Sequence, residues 1–287
     1  MRYYILYNPL SGKCNGKAEA EKLSALYSGA SCHDLTKIVD FTSFFQAIRA
    51  EDAIVLCGGD GTLNRFINDT VGLDIPCDIL YHAIGSGNDF LKDVGKTAED
   101  APFSIKEYIK ELPTVEVKGK TYRFLNNVGF GIDGYCCEIG DEQKKRSEKP
   151  VNYTAIAIKG LLFHYRPVNA VVTVDGKEYR YEKVWLAPTM KGRFYGGGMM
   201  ATPEQDRTDP ENDLSVLIFH GSGKFKTLAV FPSIFKGTHI KHTDIVTIHK
   251  GKNISVSFDR PAALQIDGET ILGVTTYKAA VKEIAKI

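Results

Sequence analysis

Long apolar runs are missing from this sequence. No stretch approaches the uninterrupted apolar length of a membrane-spanning helix, and the opening MRYYILYNPLSGK reaches an Asn-Pro turn by Asn8, too early for the apolar region of a signal peptide. The expectation is a chain that meets any membrane from the water side. Metal-binding cysteine patterns are missing as well. The six cysteines (Cys14, Cys32, Cys57, Cys77, Cys136, Cys137) include no Cys-x-x-Cys pair and no His-rich spacing, so they read as reduced intracellular thiols rather than a zinc site. An excess of one charge is absent: a formal net charge of +1 gives no global attraction to nucleic acid or to an anionic membrane. Any electrostatic recognition must come from a local cluster. There is no internal repeat or low-complexity tract, and 43% apolar with 25% charged residues excludes a disordered chain, a collagen and a coiled coil. What remains is a globular protein whose 287 residues suit two modest domains, each with its own core.

The two halves differ in pattern. Residues 3–7, 53–57 and 79–84 are short apolar runs, each stopped by a polar, glycine-containing loop: NPLSG, GGDG and GSGND. Between them, residues 18–27 and 41–50 have helical spacing. Alternation of this kind predicts an α/β sandwich with a largely parallel sheet, whose three loops lie beyond the carboxyl ends of the strands, where ligands gather. From about residue 115 the chain turns to short β-branched and aromatic runs, with Asp175-Gly176 and Asp267-Gly268 as hairpin turns, which predicts mostly antiparallel β structure. One segment of helix length, 151–165, interrupts it after the charged, exposed stretch 141–149.

The most informative string is CGGDGTLNRFIND at 57–69. Glycines directly after a buried strand let the backbone turn sharply, and a loop feeding a helix start presents N–H groups to a phosphate. An acid in such a loop is unfavourable unless a cation lies between, so Asp60 suggests Mg²⁺ bridging to a triphosphate. A plain Gly-Gly-Asp-Gly turn is the equally weighted alternative for that string alone. The next strand repeats the logic, with Gly85 and Gly87 flanking Ser86, and Asn88 with Asp89 placed to cap the following helix. The first loop adds Ser11 and Gly12.

Six strings in this order resemble the bacterial diacylglycerol kinases and their relatives, the sphingosine and ceramide kinases: YNPLSGK near the start, GGDGTLN at 58–64, IGSGNDF at 84–90, FLNNVGFGID at 124–133, YGGGMMATP at 195–203 and IDGE at 266–269. The resemblance runs along essentially the whole chain. It implies a phosphofructokinase-like α/β domain over 1–116, with 277–287 as a candidate return to it, and an antiparallel β-sandwich domain over 117–276 carrying the lipid site. It further implies ATP and Mg²⁺ as cofactors, with nucleotide contacts from Asn8, Pro9, Ser11, Gly12, Thr36, Gly58, Gly59, Gly61, Thr62, Asn64, Gly85, Ser86, Asn88 and Asp89. Catalytic roles fall to Asp60 and Glu269. Glu269 would accept the proton of the attacking hydroxyl, which a carboxylate projecting beside a tight Asp-Gly turn can do; a solvated hairpin residue is the bland alternative.

The sequence departs from that family at a few points. Ser86, Ala83 and Lys92 stand where relatives often have Thr, Pro and Arg, and Glu116 where an Asp often supports catalysis. At 210–216, PENDLSV replaces the usual Asp-Gly-Leu; Asp209, Glu211 and Asp213, with Asp60, are the metal-ligand candidates, the first three for a structural Mg²⁺. The substrate implied is a membrane lipid such as diacylglycerol, reached by a cytoplasmic protein in peripheral contact with the anionic inner membrane surface, with no nucleic acid partner. A homodimer stays open, since dimers are common among relatives. For docking, residues 220–252 hold six lysines and four histidines against one acid, Asp244, around an apolar TLAVFPSIF run; a solvated face over core strands explains them equally well. The segment 153–165 could line an acyl-chain entrance or pack in the core. Two rivals are a soluble NAD kinase-like enzyme, which shares GGDG, and a nucleotide-binding membrane module without transfer.

Overall fold

The computed structural model describes residues 1–84, 87–147 and 151–281. The chain divides into two compact units, Met1–Glu111 and Leu112–Ile287.

In the first unit the order is β1 (Tyr3–Tyr7), α1 (Ser11–Cys14), α2 (Gly16–Ser24), β2 (Ala30–Asp34), α3 (Phe41–Gln46), β3 (Ala53–Gly58), α4 (Asp60–Asp69), β4 (Asp78–Ala83), α5 (Asp89–Asp93), β5 (Phe103–Ser104) and α6 (Lys106–Ile109). The sheet order is β2-β1-β3-β4-β5, parallel from β2 to β4 with β5 antiparallel at the edge. Helices cover both faces of such a sheet, so its central strands are apolar throughout; all six residues of β3 are buried. Helix α3 starts where Asp40 accepts the N–H groups of Thr42 and Ser43 at 2.9 and 3.2 Å. Strand β2, ASCHD, was not among the predicted strands: it lies at the sheet edge and its side chains are half-buried or exposed, so it lacks an apolar run.

The second unit contains β6 (Thr114–Val117), β7 (Lys120–Arg123), β8 (Asn127–Gly131), α7 (Ile132–Arg146), α8 (Tyr153–Lys159), a π-helical turn (Gly160–His164), β9 (Val168–Val174), β10 (Lys177–Val184), β11 (Leu186–Met190), β12 (Phe194–Tyr195), β13 (Met199–Met200), β14 (Leu214–Phe219), α9 (Lys224–Val230), two 3₁₀ turns (Phe231–Lys236 and Thr238–Lys241), β15 (Val246–Gly251), β16 (Asn253–Ile266) and β17 (Glu269–Ala280). Ten strands form one antiparallel sheet along β15-β14-β11-β8-β16-β17-β6-β7, with β9 joined to β16 and β10 to β9. Strand β16 pairs with β9 through 254–258 and with β8 through 264–266. It shifts register between Ser257 and Leu264. The sheet therefore closes over a core that includes Phe130, Val172, Val256, Leu264 and Tyr277. Asp175-Gly176 and Asp267-Gly268 occupy the β9-β10 and β16-β17 turns, as the dipeptides predict. The last described residues of β17 pair with β6, inside this sheet. Helix α7 is an unanticipated element. The charged stretch beginning at Asp141 is its final turns, where Asp141–Lys144 and Glu142–Arg146 pair at helical spacing.

Candidate active site

The chain runs outward from β1 to β2 on one side and from β3 to β4 on the other, so the strand order reverses between β1 and β3. A switch point of this kind parts the two loops at the carboxyl ends of the strands and leaves a crevice for a ligand. The loops that arrive there are 8–12 and 58–62. The Asn8 side-chain amide donates to Thr62 Oγ1 at 3.2 Å, and the Ser11 and Thr62 hydroxyls lie 2.9 Å apart. Three polar side chains named from sequence thus meet, one of them, Thr62, buried. Pro9 sits half-buried in the same turn. A Cβ at Gly58 would stand 2.4 Å from the Thr62 side chain, so only glycine lets the strand end pass under the helix start. Gly12 has φ +59, and a Cβ there would meet the Ile84 carbonyl at 2.9 Å.

Gly59 precedes α4, whose first turn contains Asp60, the exposed Gly61 and Thr62. The opening N–H groups of a helix point out along its axis, toward any anion placed at its start. Asn64 is buried one turn further on, and its carbonyl accepts from the Asn68 amide at 3.0 Å. Thr36 lies beyond β2 on the adjacent strand, exposed, with its N–H and hydroxyl on Asp34 Oδ1 at 3.0 and 2.6 Å. Those two bonds, the hydroxyl's foremost, hold the Asp34 carboxyl below the usual range.

Asp60 does something the sequence did not suggest. Its Oδ2 accepts the Asp89 N–H at 2.6 Å and its Oδ1 the Phe90 N–H at 3.3 Å, so it caps α5 from the preceding loop. Asn88 occupies the cap position in a left-handed conformation (φ 38) and makes no side-chain capping bond. The expectation that Asn88 caps this helix is corrected accordingly: with its backbone in that conformation, the start of α5 is served by Asp60. Part of the Asp60 charge is offset by these N–H groups, and a carboxylate is the kind of oxygen ligand that suits a divalent cation. Gly85 and Ser86, also named from sequence, lie outside the described residues.

In the second unit Glu269 opens β17, exposed, paired across the turn with Ile266. The turn below it is tightly fixed. The Asp267 carboxylate accepts three consecutive backbone N–H groups, Leu125 at 2.6 Å, Asn126 at 2.8 Å and Asn127 at 2.9 Å. Gly268 donates its N–H to Gln265 Oε1 at 2.9 Å, and the same Gln265 amide donates to Asp133 Oδ2 at 3.2 Å. Thr270 donates its hydroxyl to Asp141 at 2.8 Å. Burial pushes the Asp133 carboxyl up to about 6. None of these supporting roles was foreseen; the only available signal was an Asp before the turn glycine, with φ 46, read as a generic hairpin residue. Glu116 lies exposed on β6.

The three metal-ligand candidates of this unit each carry a lysine. Asp209 binds Lys250 at 2.7 Å, Asp213 lies 3.9 Å from the same ammonium, and Glu211 binds Lys252 at 3.1 Å. Of the lysines in 220–252, Lys226 pairs with Asp244 and Lys224 donates to the Leu162 carbonyl at 3.2 Å. That last bond ties α9 to the π-helical turn, and beside it Phe163 and Phe225 are 76% and 73% exposed. No helix among the described residues is long and apolar enough to cross a membrane.

A parallel α/β unit with glycine loops at its switch point, followed by an antiparallel β unit, defines the class: a two-unit kinase. Residues 2–117 match the diacylglycerol kinase catalytic domain family, and residues 126–283 match the YegS C-terminal NAD kinase beta sandwich-like domain. The chain belongs to the diacylglycerol kinase family. A diacylglycerol kinase of Bacillus subtilis is 26% identical over 280 residues, covering 93% of this chain and 89% of that protein. One from Mycobacterium tuberculosis is 26% identical over 215 residues, covering 72% and 67%. A crystal structure of a diacylglycerol kinase from Bacillus anthracis shares the fold, with a TM-score of 0.62 at 19% identity over 98% of this chain and 93% of that one.

Proposed function

We propose that this kinase uses ATP and Mg²⁺ to phosphorylate the hydroxyl of a membrane lipid, converting diacylglycerol to phosphatidic acid at the cytoplasmic membrane surface. The observation that carries the reading is the meeting of Asn8, Ser11 and Thr62 at the β1/β3 switch point, beside the start of α4, in a chain of this family. Hydroxyls, an amide and outward N–H groups suit the oxygens of a triphosphate, and phosphoryl transfer asks the protein mainly for positioning. When bound at Asp60, Mg²⁺ would offset charge on the phosphates. The acceptor hydroxyl oxygen forms its bond to the γ-phosphorus while the bond to the β–γ bridging oxygen breaks, ADP leaves, and the hydroxyl proton passes to Glu269. Glu269 is exposed, and a carboxylate so placed is a group that can take up a proton. The lipid is reached by peripheral contact, a reading that the exposed Phe163 and Phe225 of the second unit support.

The test is transfer of labelled γ-phosphate from ATP to a panel of diacylglycerol, sphingosine, ceramide and NAD in mixed micelles. Label is expected on diacylglycerol, with Glu269→Ala lowering kcat roughly 10²- to 10⁴-fold and Thr62→Ala raising the KM for ATP. Transfer to NAD with none to any lipid would sink the proposal.

A further inference from the structure

The loop 201–213, between β13 and β14, carries carboxylates at 209, 211 and 213, a spacing that suits chelation of a divalent ion. A hard cation needs several oxygens turned toward one point at about 2.0–2.6 Å. The side chains here are turned elsewhere. Asp209 presents Oδ2 to Lys250 at 2.7 Å and Oδ1 to the Glu211 N–H at 3.0 Å. Lys250 also faces Asp213 at 3.9 Å, while Glu211 turns to Lys252 at 3.1 Å. From the other side, the buried Lys191 ammonium donates to the Asn212 side-chain carbonyl, inside the same turn. Strand pairing explains the arrangement: Ser215 of β14 lies opposite Lys250 of β15, so the lysine is carried to the foot of the loop by the sheet itself. The donor set does not fit a divalent ion, because an ammonium holds the place where the carboxylates would have to converge.

The loop is also mechanically connected. Arg207, 8% exposed, donates one guanidinium N–H to the Leu125 carbonyl at 2.8 Å and another to Asn126 Oδ1 at 2.7 Å. Leu125 and Asn126 are the residues whose N–H groups are gripped by Asp267, two positions before Glu269. Arg207, the 125–126 segment and the Asp267-Gly268 turn form one continuous set of hydrogen bonds, which the loop joins through its own backbone at Arg207.

We propose that Lys250 is a built-in cation that takes the place of a bound divalent ion in this loop, and that it acts as a positioning residue, keeping Arg207 and through it the turn that carries Glu269 in place. An ammonium supplied by the chain has no dissociation equilibrium with the solution, so the order of the loop is independent of metal supply and insensitive to chelators. Removing it deprives Asp209 and Asp213 of the ammonium they share, a place that a cation from solution would then fill. The positioning half rests on the proposed role of Glu269; the cation half does not.

The experiment compares thermal unfolding of the nucleotide-free wild type, Lys250→Ala and Lys250→Arg with EDTA and with millimolar Ca²⁺ or Mg²⁺ alone. The wild type and Lys250→Arg are expected to melt at the same temperature with or without metal, whereas Lys250→Ala gains roughly 2–4 °C when Ca²⁺ is added. A metal-dependent rise in the wild type, or no metal response in Lys250→Ala, would overturn the cation proposal. Should Lys250→Ala not accumulate as folded protein, Lys250→Met serves in its place, and calorimetric titration with Ca²⁺ decides independently, since the same number of sites in the wild type as in the variant would count against it. For the positioning half, kcat of lipid phosphorylation is expected to fall roughly three- to tenfold in Lys250→Ala, with the KM for ATP unchanged and recovery in Lys250→Arg. Unchanged kcat refutes it. A wild type inactive on every lipid would instead sink the functional reading and leave the melting comparison standing.

Discussion

At the scale of single residues, the chemistry rests on side chains whose partners are far away in sequence. Asp133 is the clearest case. It is buried at the start of α7, with the Gly134 N–H at 2.9 Å on Oδ1 and the Gln265 amide on Oδ2, and burial raises its folded pKa from 3.8 to about 6. Between those values the folded protein holds a proton that the unfolded chain has lost. Stability therefore falls as pH rises through this window, and the full penalty is present above pH 6. A shift of this size corresponds to about 3 kcal/mol. Urea unfolding at pH 4 and pH 7 is expected to show that component in the wild type and to lack it in Asp133→Asn, whatever the variant's absolute stability; equal pH dependence in both would show that Asp133 titrates normally. Sequence reading could see that GFGID belongs to a string that resembles the family but not that its Asp is buried. A carboxylate's environment is set by what packs around it, here β16, whose relevant residue lies 132 positions away.

At the scale of elements, legibility followed apolar runs. Strands β1, β3 and β4 were visible because central strands covered on both faces must be apolar throughout, and the glycine loops after them marked where they stop. Edge strand β2 offered no such run. Helix α7 was hidden by its own packing: Gly134 and Gly140 lower its helical signal, yet a Cβ at Gly134 would stand 2.0 Å from the Ala263 carbonyl and one at Gly140 2.6 Å from the Tyr153 ring. The glycines are there so that the helix can lie against β16 and α8. The lysine-rich segment was legible as a cluster and misleading as a free surface, because Lys226, Lys250 and Lys252 are engaged by acids that sequence distance conceals. Lys236 and Lys241 stay exposed, and large apolar side chains are exposed with them. Phe163 and Phe225 are the most exposed of them in this region, on two elements tied by the Lys224–Leu162 hydrogen bond. Burying an exposed phenylalanine is worth about 2 kcal/mol, so the Phe163→Asp, Phe225→Asp double variant is expected to lose at least about tenfold in binding to phosphatidylserine-containing vesicles while its thermal unfolding is unchanged. Sedimentation with the vesicles reads this, and undiminished binding would move the docking surface elsewhere.

At the scale of the whole molecule, the chain joins two units with separate cores and separate work: the first carries the glycine loops at a parallel switch point, the second the carboxylate-bearing turn of Glu269. The single tryptophan makes these units distinguishable in solution. Trp185, 4% exposed, lies in the second unit with its indole N–H on the Ser222 carbonyl at 2.9 Å, so its fluorescence reports that unit, while far-UV circular dichroism reports both. Units with independent cores need not unfold together, and probes then disagree. Urea unfolding is expected to give different midpoints by the two methods. A non-hydrolysable ATP analogue with Mg²⁺ at 100 times its Kd should stabilise whichever unit binds it by about 2.7 kcal/mol. If the nucleotide is held chiefly by Asn8, Ser11, Thr62 and the start of α4, the analogue raises the dichroism transition that fluorescence does not see and leaves the Trp185 midpoint nearly fixed. A rise confined to the fluorescence transition would place the nucleotide on the β unit and remove the glycine loops from its recognition.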